Sequence, residues 1–262
     1  MSKRRSRQRN ALSAAKPRML SLALQHSRAW VVGFRPVIAM VAVTRIALAE
    51  AYHIPSGSME PTLLVGDWLM VNKLRFGPHI PFTNVRLPGY AEPTRGDVVV
   101  FESPPQDPSI RMTPGDITPT LVKRIVGVGG DTLAMRGGQL IVNGRAEPAN
   151  VADAASNKFA DQPQQIFEWQ HRVETSSAAL GAHVREPSLH EWGPLIIPAG
   201  TYFMMGDNRD NSVDSRFYGP VPRGNVRGSP TFVYYSFDTE EGVEYVRAVT
   251  AIRWQRLGTW IK

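Results

Sequence analysis

Ser56 and Ser58 flank Gly57 in IPSGSMEPTLLVGDWLM, residues 54–70, and the apolar Met59 follows them. A serine hydroxyl is inert near neutral pH unless a base removes its proton, so either serine becomes a nucleophile only if a base folds onto it. His53 is near in sequence, but five residues of extended chain assure no contact with Ser58. A lysine can do the same work once burial disfavours its ammonium form and leaves a neutral amine. In LVKRIVGV, Lys123 has apolar flanks of that kind in Leu121, Val122, Ile125 and Val126. Its alternative reading is an edge-strand lysine facing solvent beside Arg124.

A third stretch, GDNRDNSVDSR (206–216), gathers Asp207, Arg209, Asp210, Asp214 and Arg216. Nearly balanced charges at this density suit an interlocking network of ion pairs and side-chain-to-backbone hydrogen bonds. A calcium loop would need the D-x-[DN]-x-[DN]-G register and a twelfth-position Glu, and the stretch has neither. With no cysteine, thiolate catalysis and Cys-ligated zinc are excluded, and the six histidines show no HExxH or similar spacing. The expected chemistry therefore uses no metal and no cofactor.

These groups need a scaffold, and the sequence predicts a mainly β one. GDVVVF (96–101), TYFMM (201–205) and TFVYYSF (231–237) are short, apolar and bounded by turn residues. Residues 121–148 alternate well enough for three strands, with turns at Gly129-Gly130-Asp131, Gly137-Gly138 and Asn143-Gly144, the last an Asn-Gly hairpin signal. Residues 78–96 read as a loop and 103–120 as a Pro-rich loop or protruding hairpin tip. The polar stretch 149–192 reads as an inserted variable subdomain. The tail 245–262 reads as a strand or a short amphipathic helix.

The net charge of +7 is concentrated in a leader: residues 1–28 hold eight basic and no acidic side chains, leaving 22 basic against 23 acidic elsewhere. A nucleic-acid-binding domain would spread positive charge over its folded surface, so nucleic acid is not expected as a partner. Residues 29–50 then read as a single transmembrane anchor, interrupted by Arg35-Pro36 and Arg45. Both arginines can snorkel to the interfaces. By the positive-inside rule the basic segment 1–28 is cytoplasmic and residues 51–262 lie outside.

Three blocks occur in order behind this anchor: IPSGSMEPTL, RGDVVVF with LVKRIVGVGGD, and MMGDNRDNSVDSRFYG. Together they resemble the bacterial type I signal peptidase (leader peptidase) family. That resemblance implies an antiparallel β-sheet catalytic domain of signal-peptidase type, held at the bacterial cytoplasmic membrane by one N-terminal helix. Its substrates would be signal-peptide-bearing preproteins, cut after small residues in A-x-A-like sites, with the translocation machinery nearby. Ser58 matches the nucleophile and Lys123 its general base. Ser56 matches the serine that shares the oxyanion hole with the Ser58 N–H, and Ser212 the serine that hydrogen-bonds and orients the lysine. Asp214 and Arg216 match the pair supporting that loop, with Asp207 in the same polar shell. Ile54, Pro55, Met59, Leu63, Leu121 and Val122 resemble the walls of the substrate pockets.

This chain departs from the family pattern at Gly129, where a proline is usual, and at Tyr218, where tryptophan is common. The competing readings are a specialised relative that matures pilin or conjugation proteins and a membrane-tethered β scaffold without activity. A self-cleaving repressor would carry a DNA-binding domain in front, which residues 1–50 do not resemble.

Overall fold

The computed structural model describes residues 33–37, 49–79, 85–111, 114–147, 167, 187–239 and 251–262. Internal contacts divide the chain into two units, Met1–Ile46 and Ala47–Lys262. Of the first, one helical turn at 33–37 is described, with exposed side chains. Among the described residues no helix is long and apolar enough to cross a membrane. The expected leader and most of the expected anchor lie outside them, as does most of the expected insertion at 149–192.

The second unit is built on antiparallel strands. β1 (Ala49–His53), β2 (Asp67–Asn72), β3 (Val98–Glu102), β4 (Thr120–Val128), β9 (Thr201–Met205), β10 (Val221–Pro222) and β11 (Val226–Ser236) form one sheet in the order β1-β2-β11-β3-β4-β9-β10. The eleven-residue β11 holds it together. Its start pairs with β3 and its longer remainder with β2, with register shifts along the way that let the sheet curl. β1 takes in Ala49 and Glu50, the last two residues of the segment assigned to the anchor.

β5 (Thr132–Arg136), β6 (Gln139–Val142), β7 (Arg145–Ala146) and β8 (Trp192–Ile196) form a second sheet in the order β7-β6-β5-β8. Residues 121–148 thus give four strands, one more than expected. The β6–β7 hairpin turns on Asn143 and Gly144, with φ of 51° and 77°, the left-handed pair that a two-residue turn requires. The span read as an insertion reaches into this core. Trp192 opens β8, and Phe167 is buried with its ring 5.5 Å from that of Trp192.

Strand alternation sorts the core. Val98 and Val100 of β3 join one apolar cluster with Leu69, Val71 and Val233, while Val99 and Phe101 join another with Ile125, Tyr202 and Met204. β3 is covered on both faces, which is why VVVF reads as an unbroken apolar run. The tail departs from its expectation over 251–262, while 245–250 lie outside the described residues. Residues 251–262 form neither a strand nor an amphipathic helix, but follow β11 through isolated bridges at Phe237–Ile252 and Phe232–Trp260 around a single 3-10 turn, Trp254–Arg256. Prolonged apolar periodicity is missing there, so hydrogen bonds such as Val233 N–H to Thr259 O (3.0 Å) and Ile261 N–H to Thr231 O (2.9 Å) decide its path.

Candidate active site

The loop between β1 and β2 closes on itself before it does anything else. Ile54 N–H donates to Asp67 O (2.8 Å) and Gly66 N–H to Ile54 O (2.9 Å), so both ends are pinned. Inside it, Gly57–Met59 make a 3-10 turn that carries Ser58. Ile54, Met59 and Leu63 are buried in the cluster with Leu69, Val71, Val98 and Val100, with Val122 packed against it. Burying Met59 and Leu63 is worth about 1.5–3 kcal/mol each, and it holds the turn that carries the adjacent Ser58 in one place.

Lys123 sits in the middle of β4, opposite Val99 of β3, with β9 on the other side. It is a central strand, not an edge, and the side chain is 3% exposed. The solvent-facing reading is thereby corrected. Its Nζ lies 2.5 Å from Ser58 Oγ, across 65 residues of sequence. Burial lowers its pKa to about 8; Arg216 pushes the same way, while Asp214 and Asp207 oppose it. At neutral pH roughly one lysine in ten is then an unprotonated amine. His53, the rival base, packs its ring 5.2 Å from Trp68 and 6.1 Å from Phe237.

A serine whose hydroxyl meets a buried, partly neutral lysine has the two parts of a nucleophile–base pair. The family model described as "Signal peptidase, peptidase S26" matches residues 27–235. The chain belongs to the S26 signal peptidase family. Signal peptidase I of Pseudomonas aeruginosa is 34% identical over 215 residues, covering 78% of this chain and 71% of that one. Signal peptidase I of Haemophilus influenzae is 32% identical over 259 residues (83% and 74%), and that of Aquifex aeolicus 31% over 229 residues (76% and 81%). A solved signal peptidase I from Enterococcus faecalis V583 is 24% identical, with a TM-score of 0.34 over 53% of this chain and 96% of that one.

In this family member the polar stretch 206–216 is an interlocked support. Arg216 holds both oxygens of Asp214 at 2.9 Å each, and Gly206 N–H adds a bond of 3.1 Å. Both side chains are essentially inaccessible to solvent. Burial pushes the Asp214 pKa up, but Arg216, Lys123 and the Gly206 N–H outweigh it and leave the carboxyl below its ordinary range. Asp207 is likewise buried, receiving two bonds from Arg124 and one from Thr62 Oγ1 at 2.6 Å. Asp207, Asp214 and Arg216 all act on the charge of Lys123.

Two expected roles look different in the structure. Among the described residues the buried Ser212 Oγ has no hydrogen-bond partner, so the bond that would orient Lys123 is not made. Leu121 packs on the cluster of Phe101 and Ile125, whereas its neighbour Val122 joins that of Met59 and Leu63, because adjacent strand residues face opposite sides. Pro55 is exposed. Ile54, Met59, Leu63 and Val122 share one apolar cluster; Leu121 packs on another.

Three residues carry more than their sequence showed. Asn208 ties the nucleophile's backbone to the polar loop, its N–H donating to Ser58 O (3.1 Å) and its Nδ2 to Gly57 O (3.2 Å). Gly206 permits that approach, since a Cβ there would lie 2.4 Å from both Ser212 Oγ and Ser58 O. Arg124, seen only as the neighbour of Lys123, is the clamp on Asp207. The GDN and KR pairs were visible, but nothing in their spacing announces contacts 83 to 151 residues away in sequence.

Proposed function

We propose that this signal peptidase cuts preproteins with a Ser58–Lys123 dyad, after small residues in A-x-A-like sites. The observation that carries this reading is the 2.5 Å contact between a lysine amine 3% exposed and a serine hydroxyl on a pinned turn. A scaffold without activity has no need to bury an amine on a hydroxyl, because the desolvated charge costs stability.

The chemistry runs in two halves. Ser58 Oγ attacks the scissile carbonyl carbon while neutral Lys123 Nζ takes its proton. The carbonyl oxygen becomes an oxyanion held by the Ser58 N–H and the Ser56 hydroxyl. Ser56 precedes the 3-10 turn and makes no capping hydrogen bond, which leaves its hydroxyl uncommitted to the helix. The tetrahedral species collapses, the C–N bond breaks, and the Lys123 ammonium protonates the departing amine. Water then attacks the acyl-serine, giving its proton to Lys123; as the acyl C–O bond breaks, the Lys123 ammonium passes that proton to Ser58 Oγ, restoring the hydroxyl and the neutral amine. No metal or cofactor enters any step.

The cluster of Ile54, Met59, Leu63 and Val122 supports a preference for alanine-sized side chains, since it is apolar and packs under the turn that carries Ser58. Residues 29–48, short of the two that β1 takes, anchor the chain in the bacterial cytoplasmic membrane with the basic leader inside and the peptidase domain outside, near the machinery that delivers preproteins. Incubation with a preprotein and sequencing of the new N-terminus tests this reading. Cleavage after an A-x-A-like site is expected; cleavage confined to a pilin or conjugation precursor would assign the enzyme to the specialised relatives.

A further inference from the structure

The tail at 251–262 grips the nucleophile loop from behind, and none of the motifs that carry the family resemblance includes it. Arg256 Nη2 donates to Asp67 Oδ2 and to Thr62 O, the latter at 3.0 Å, while its Nε lies 3.4 Å from Asp67 Oδ1. Arg253 Nη2 donates to Val65 O at 2.9 Å. Thr62 and Val65 lie in the closing half of the loop that carries Ser58, and Asp67 opens β2 at its end. Asp67 is wholly buried, also accepts from Leu64 N–H (2.9 Å) and Ser236 Oγ (2.7 Å), and through its own carbonyl holds Ile54. The tail reaches the base strand as well, for Arg124 Nη1 donates to Lys262 O at 3.0 Å. Ile261 packs against the cluster of Ile54, Met59 and Val122.

We propose that Arg256, assisted by Arg253, is a positioning residue that sets the seat of Ser58 against Lys123. Arg256 touches neither dyad member. It fixes the backbone at Thr62, whose hydroxyl bonds Asp207, and so one residue links the tail, the nucleophile loop and the polar support. A planar guanidinium is suited to this, because its fork can engage a carboxylate and a carbonyl at once, which an ammonium on a flexible stem cannot do with the same geometry. Without the clamp the closing half of the loop is free to move, Ser58 loses its alignment, and water gains access to Lys123. The charged groups around that amine, Asp207, Asp214 and Arg216, stay in place.

This inference rests on the proposed dyad, and the test separates the two. kcat, KM and the acid limb of the kcat–pH profile are measured for the full chain in detergent, as wild type, Arg256→Met and Arg256→Lys. A wild-type profile with no limb in the range of a lowered lysine defeats the dyad itself. If that limb is present, Arg256→Met should lower kcat at least tenfold, leave KM within about twofold and move the limb to higher pH, with Arg256→Lys intermediate. A drop in melting temperature with kcat and limb unmoved means ordinary structural support and overturns the proposal, as does a change in KM alone. If Arg256→Met does not fold, Arg253→Gln releases only part of the clamp, and the same three criteria decide.

Discussion

Arg124 holds both carboxylate oxygens of Asp207, Nε to Oδ1 at 2.8 Å and Nη2 to Oδ2 at 2.7 Å. The pair joins the residue next to Lys123 on β4 to the head of the polar loop, and Thr62 Oγ1 brings the nucleophile loop to the same carboxylate. Removing one partner of a buried pair strands the other charge, which typically costs about 3–5 kcal/mol. Asp207→Ala should therefore lower the melting temperature by roughly 6–20 °C. Replacing both, as Arg124→Met with Asp207→Leu, should recover part of that loss in thermal unfolding while activity stays low. Additive losses in the double variant would mean that the two do not act as a pair.

Ser56 tests the oxyanion hole. Losing one such donor lowers kcat by about 10²–10³. Ser56→Ala should show that fall in steady-state kinetics with KM little changed. A rise in KM at unchanged kcat would place Ser56 in substrate binding instead.

The buried base fixes the direction of the pH response. Lys123 must be neutral to act, and its pKa is lowered to about 8, so activity should rise as pH increases through that value. Stability follows the same sign. Between about 8 and the ordinary 10.5 the folded chain has lost this proton while the unfolded chain still holds it, so the contribution of Lys123 to stability increases with pH over that window. Below about 8 both states carry the charge and the cost of burying it is fully present. Lys123→Met should abolish this slope in denaturant titrations. An activity limb below the ordinary histidine range would point to His53, whose pKa burial lowers against the opposing pull of Asp67.

Much of the scaffold was legible because its signals are local. Asn143-Gly144 turned as the dipeptide dictates, and VVVF, TYFMM and TFVYYSF are strands. Ser58 and Lys123 were legible as types in suitable surroundings, but only the block order singled them out. Lys123 looked like an edge residue because a strand's neighbours are not written in its own residues; its β3 partner is Val99, and β9 joins β4 next to it, where Met205 pairs with Arg124. Arg124, Asn208 and Gly206 act through long-range contacts for the same reason. The tail misled because its path is set by hydrogen bonds to β11 and to Asp67, which leave no periodic trace. The family resemblance names Leu121 and Val122 together, whereas strand alternation sends them to different clusters.

The dyad is tested most directly by cleavage of a preprotein with Ser58→Ala and Lys123→Met, each compared with wild type at equal concentration and with its fold checked by circular dichroism. Both variants should keep the β-sheet spectrum and lose cleavage to background. Lys123→Met should also remain at least as stable as wild type at pH 7, having shed a buried amine. Cleavage near the wild-type rate by either folded variant would contradict the dyad.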